Sequence, residues 1–161
     1  MGTGFIWSEH LRDIVVTGLL SMVPTFEGRY ALTIGMGLGM PLLFTYLLAV
    51  VCSTVPMPFI FWLMKPILKW LYSLPIGFVR KFAAWVERRS QRMGEKVDAK
   101  GLLGLYLFVA VPLPGTGVWT GSAVATVLNM KKSHAMIAIV LGNMTACLIM
   151  TLVMTGVLHF F

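Results

Sequence analysis

An acid and a base stand two residues apart in VPTFEGRYALTIG, residues 23–35: Glu27 and Arg29, in an otherwise uncharged stretch. Ionisable groups buried in apolar chain are costly in hydrocarbon, and they mark ion or substrate pathways. Two blander uses compete with that reading. The pair can pin a turn, or both charges can snorkel to an interface. A second stretch, VPLPGTGVWTG at residues 111–121, carries no charge at all. Its chemistry is that of the backbone. Pro112 and Pro114 remove two donors, and Gly115 and Gly117 let a ligand approach the main chain closely. Thr116 and Thr120 add hydroxyls. A helix starting near Thr116 points free N–H groups and a partial positive charge at whatever faces it, and successive N–H groups form an anion nest. A helix starting near Gly28 does the same from the other stretch. Two helix N-termini and Arg29 together favour an anion such as a phosphate. Glu27 opposes an anion unless it is protonated. Held between desolvation and a neighbouring arginine, it is placed to carry a coupling proton. The candidate substrate- and ion-binding residues are therefore Glu27, Arg29, Pro112, Pro114, Gly115, Thr116, Gly117 and Thr120.

Other chemistries lack their residues. His10, His134 and His159 are scattered without a carboxylate at metal spacing, so no metal or cofactor is expected. No catalytic motif is present, and no enzyme activity is expected. Cys52 and Cys147 lie in apolar segments and read as reduced packing residues. The glycines of GMGLGM, residues 35–40, sit in an apolar arm and not after a strand. Close helix packing suits them better than a dinucleotide. Asn143 and Thr145, with Ser53 and Thr54 at equivalent places, read mainly as hydrogen-bonding glue between helices.

The elements that hold these residues follow from composition and length. The 161 residues are 58% hydrophobic and 12% charged, about half the charge of a soluble domain. The class is an all-α integral membrane protein. The first apolar stretch is short and preceded by Glu9, Arg12 and Asp13, unlike a cleaved signal peptide. Four apolar blocks occupy residues 14–23, 30–64, 102–130 and 134–161. A spanning helix needs roughly 20 apolar residues to cross a core of about 30 Å. The ten residues 102–111 reach only about 15 Å before the first proline. The third block therefore reads as a re-entrant hairpin whose tip is PLPGTG. Irregular backbone is tolerated at that depth only where protein or a cavity covers it. The alternative is one span with a proline kink.

Charge favours the hairpin. Nine of the thirteen Lys and Arg fall within residues 65–100, which the positive-inside rule makes cytoplasmic. Lys131 and Lys132 return to that side only if the third block does not cross. The first half repeats the order of features: short arm, proline-containing break, glycine-rich return arm, long helix. Val23-Pro24 aligns with Val111-Pro112, Gly28-Arg29-Tyr30 with Gly117-Val118-Trp119, and Gly39-Met40 with Asn129-Met130. The arms of the first hairpin are residues 10–23 and 29–40, and its span is residues 41–64. The chain then divides into repeat one (5–64), a cytoplasmic linker (65–100) and repeat two (101–161), within a single membrane domain. One hairpin enters from each side, as in inverted-topology transporters. Both termini are then outside, whereas a fully spanning first arm puts the N-terminus inside. After Pro75 the linker reads as a basic amphipathic helix on the membrane surface, attractive to anionic lipid, or as a simple orientation signal. Nucleic acid is not an expected partner.

These residues carry a family resemblance. LFVAVPLPGTGVWTGSAVATVLNM, residues 107–130, closely resembles the signature of the small multi-drug export proteins of bacteria and archaea. VPTFEGRYALTIGMGLGMP resembles that family's other segment, which reads like PxxELRGAIPxG. Glu27 and Arg29 match its acid and arginine, with Gly28 between them. Ala31-Leu32-Thr33 stands where the family has a proline. More distantly the family is similar to the DedA/VTT membrane proteins. That likeness implies paired re-entrant hairpins with charged tips and, in some members, ion-coupled translocation of lipid carriers or phospholipids.

The expectation is an inner-membrane, multi-pass transporter, ion-coupled, with its site between the two tips. An anionic lipid phosphate is the favoured substrate. A proton-coupled exporter of small cationic drugs is the alternative, and a non-transport scaffold that binds anionic lipids is the third. So few spans enclose no path alone, so a homodimer or larger assembly is expected, packed through the glycine-rich arms.

Overall fold

A computed structural model of the protein describes residues 10–23, 27–73, 77, 99–113 and 115–159. The predicted surface helix after Pro75 lies outside them. Among the described residues seven helices follow one another: α1 Leu11–Met22, α2 Glu27–Gly37, α3 Leu42–Thr54, α4 Met57–Ser73, α5 Ala99–Ala110, α6 Val118–Val127 and α7 Lys132–His159. No strand occurs among the described residues. Among the described residues two stretches are long and apolar enough to cross a membrane: Leu42–Met64, running from α3 into α4, and Lys132–Gly156 in α7. The other four helices have 10 to 12 residues. At 1.5 Å per residue they reach about 15–18 Å, too short to cross.

Prolines set the breaks. Between α5 and α6 the chain leaves helical geometry at residues 111–113 and 115–117, and the two helices pack on each other. The third apolar block is thus two helices and not one kinked rod. Between α3 and α4 the break is slight. Val55 stays helical (φ −52°, ψ −42°), and only Pro56 and Pro58 lack their donors. α4 runs past the expected end of the first span at Met64 to Ser73, with Pro66 inside it. A single proline removes one rung, and the apolar sequence beyond it continues the helix.

α1, α2 and α3 pack together, as do α5, α6 and α7. The two groups are tied crosswise, α2 on α7, α6 on α4 and α3 on α7. The buried lane of the first span is Thr45, Ala49, Ser53, Met57 and Phe61. Ninety residues on stand Ala135, Ile139, Asn143, Cys147 and Thr151, also all buried. Spacing of four keeps each set on one helix face. The lanes meet at Ser53 and Asn143, where the amide Nδ2 donates to the Ser53 hydroxyl at 2.8 Å. Met57 and Phe61, late in the first span, share a hydrophobic cluster with Ala135, Ala138 and Ile139, early in the second.

The return arms end alike. Gly39 takes φ 81° and Asn129, ninety residues on, takes φ 51°. The Met40 N–H reaches back to the Gly35 carbonyl at 3.2 Å, and the Met130 N–H to the Ala125 carbonyl at 2.9 Å. Both are Schellman-type stops, which need a left-handed residue, best supplied by Gly and next by Asn. Of the GMGLGM glycines only Gly35 is used for packing: a Cβ there would lie 2.5 Å from Thr45 Cγ2. Gly37 and Gly39 face open space.

Candidate functional site: two helix breaks that cap each other

A broken helix leaves carbonyls without partners at one end and N–H groups at the other. In lipid no water relieves them. The protein answers this by making each break complete the other. Arg29, in the first turn of α2, is 3% exposed. Its Nη2 donates to the carbonyls of Val109 at 2.8 Å and Thr116 at 2.9 Å. Its Nη1 donates to the carbonyls of Val111 at 3.2 Å and Leu113 at 3.1 Å, and to the Thr116 hydroxyl at 3.1 Å. The guanidinium therefore sits on the carbonyl end of α5, where a cation is favoured.

Glu27 does the converse. It is 7% exposed, and its Oε1 accepts the Trp119 N–H at 3.3 Å, in the first turn of α6. Gly117, the N-cap of α6, has no capping side chain of its own. A carboxylate from the other half of the chain supplies the missing acceptor, where an anion is favoured. The fit requires glycine, because a Cβ on Gly117 would overlap the Glu27 carboxylate. Glu27 itself adopts φ 42°, left-handed backbone unusual for a glutamate and costly outside a constrained site. Trp119 closes the exchange: its indole Nε1 donates to the Met22 carbonyl at 3.0 Å, the last turn of α1.

Glu27 and Arg29 form no ion pair with each other. Residues two apart on a helix do not share a face. Each instead reaches the opposite break. Gly28 lies between them because α2 touches α3 there: a Cβ would come within 2.8 Å of the Ala49 carbonyl and 2.9 Å of Ser53 Oγ. The site thus joins Glu27, Arg29, Thr116 and Gly117 directly. Pro112 is half-buried and makes the turn in which the Leu113 N–H meets the Val111 carbonyl at 2.8 Å. Gly115 is exposed with φ 84°, a left-handed turn position that suits glycine. Thr120 is half-buried on α6 with no hydrogen bond from its hydroxyl. Pro114 lies outside the described residues.

Sequence reasoning missed Trp119 and the main-chain acceptors. Trp119 was legible only as the partner of Tyr30 in the repeat, although an indole N–H in apolar surroundings always needs an acceptor. The acceptor carbonyls of Val109 and Met22 leave no trace in a sequence. No group of three His, Cys, Asp or Glu among the described residues suits a metal.

No curated protein and no solved structure matches the chain. A family described as "Putative small multi-drug export protein" matches residues 27–149, from the Glu27 tip through most of the last helix. That name describes a membrane transporter, in keeping with the two membrane-crossing stretches. With three quarters of its length matched by that family, the break between α5 and α6 included, the chain belongs to the small multi-drug export protein family.

Proposed function

We propose that the protein is an ion-coupled membrane transporter whose substrate site lies between the two helix breaks, and that its substrate carries an anionic phosphate headgroup on a lipid. The observation that carries this reading is the placement of Glu27 and Arg29. Both are buried and each is bound to the opposite half of the chain, not to the other. Charges kept in an apolar protein without mutual neutralisation are retained for use. Arg29 makes the site electropositive and works against a cationic drug.

The repeat supports two hairpins of inverted topology. The buried lanes and the Schellman stops recur ninety residues apart, and the Ser53–Asn143 contact joins equivalent positions. Short paired helices α1–α2 and α5–α6 then enter from opposite faces and meet near midplane. The basic linker and Lys131 and Lys132 lie on the cytoplasmic face of the inner membrane, with both termini outside. A homodimer or larger assembly completes the path.

The test is transport in proteoliposomes. A fluorescent phosphatidic acid is followed by its accessibility to an impermeant quencher, and ethidium efflux is followed in parallel. The expected result is phosphatidic acid movement driven by a proton gradient. Arg29→Lys should abolish it, and Glu27→Gln should uncouple it from the gradient. Ethidium movement lost in Glu27→Gln would replace this reading with cation export. Movement of neither lipid nor dye would leave a lipid-binding scaffold.

A further inference from the structure

The start of α6 is already occupied. Its N-cap glycine leaves a notch, and the Glu27 carboxylate fills it, bonded to the Trp119 N–H. Arg29 binds the Thr116 carbonyl, one peptide bond from Gly117, so its guanidinium borders the same turn. Four of the five guanidinium N–H groups are on its Nη atoms, and these are engaged. The fifth, on Nε, is buried and has no partner. An orphaned charged donor in a residue 3% exposed is a cost that folding alone does not explain.

We infer that the turn Gly117–Trp119, bordered by the Arg29 guanidinium, is an anion seat that the chain fills with its own Glu27 carboxylate and that the anionic group of the substrate takes when Glu27 leaves. The inference rests on the transporter reading above and adds to it the place and the competitor. Three features carry it. An anion is already bound at the helix start. The notch exists only because residue 117 lacks a Cβ. Finally, Glu27 holds a left-handed backbone, φ 42°, while its side chain sits in the notch. Glu27 acts here as a tethered competitor: substrate and carboxylate exclude each other, which links occupancy of the seat to separation of the two breaks.

The experiment is isothermal titration of the full chain in nanodiscs of neutral lipid, using inorganic phosphate and dihexanoyl phosphatidic acid as probes. The parent, Glu27→Gln and the double variant Glu27→Gln with Gly117→Ala are compared. Glu27→Gln should bind at least about ten-fold more tightly than the parent, because the charged competitor is gone. Adding Gly117→Ala should reverse that gain, because a Cβ fills the notch. Amide hydrogen exchange reports the place: phosphate probe should protect the Trp119 N–H in Glu27→Gln. Binding of phosphatidic acid alone assigns a lipid headgroup, and binding of both probes a phosphate without need of its tail. Equal affinity in all three proteins overturns the seat while leaving the transporter reading standing. Binding by none overturns both. A double variant that melts below the assay temperature is replaced by Gly117→Ser, whose Cβ enters the same space.

Discussion

Arg29→Leu isolates what the arginine contributes to holding the breaks together. Leucine fills similar apolar space and removes every donor. Of the acceptors, Val111 and Leu113 keep a partner, because the N–H groups of Leu113 and Thr116 donate to them at 2.8 and 3.3 Å. The Val109 and Thr116 carbonyls do not. Pro112 has no N–H, the Leu113 N–H turns to Val111, and the helical bond nearest Thr116 runs from Gly121 to Gly117. Two carbonyls are thus orphaned, each at about 1–3 kcal/mol. The expected loss is about 2–6 kcal/mol. For a chain of this size about 1 kcal/mol shifts the midpoint by roughly 2–4 °C. Arg29→Leu should therefore melt at least about 4 °C below the parent in detergent, read by thermal fluorescence. Arg29→Lys keeps the charge but offers one donor centre instead of a fork, and should recover part of the loss. A leucine variant melting within about 1 °C of the parent would refute the idea that the guanidinium completes the α5 break.

Three further outcomes follow from the same geometry. Gly142→Ala places a Cβ 2.8 Å from the Tyr106 carbonyl and 2.9 Å from Val109 Cβ, forcing α5 from α7. Overpacking of this kind costs about 1–3 kcal/mol, measured as lowered thermal stability. A double-mutant cycle of Ser53→Ala and Asn143→Ala should give a coupling of about 0.6–1.7 kcal/mol, the range of hydrogen bonds between membrane helices, and zero coupling would remove the contact from the account. Finally, cysteines at Lys100 and Lys132, both exposed, should label with an impermeant maleimide from the same face of the membrane; labelling from opposite faces would defeat the inverted arrangement.

Much of the fold was written in the order of residues. Lengths of apolar chain separated spans from short helices, and Pro112 together with the glycines of PLPGTG located the break after Ala110. The match of Gly39-Met40 with Asn129-Met130 found two helix stops that share one backbone geometry. Ser53 and Asn143 were recognisable as equivalents and as glue. The span's end at Met64 was legible, but the helix's continuation to Ser73 was not, because Pro66 costs one rung and composition does not say whether a helix survives it.

What the sequence determined by itself was the inventory: an all-helical membrane chain, two breaks, and a buried acid and base at one of them. What only the tertiary structure decided was who meets whom. Adjacency in sequence left open that Glu27 and Arg29 pair with each other, but their helical spacing turns them apart. Each then finds the complementary end of a helix from the other half of the chain, Arg29 at the carbonyls ending α5 and Glu27 at the N–H groups opening α6. Those partners are main-chain atoms, common to every residue. No choice of side chain announces them, and only the packing of one break against the other selects which ones are used.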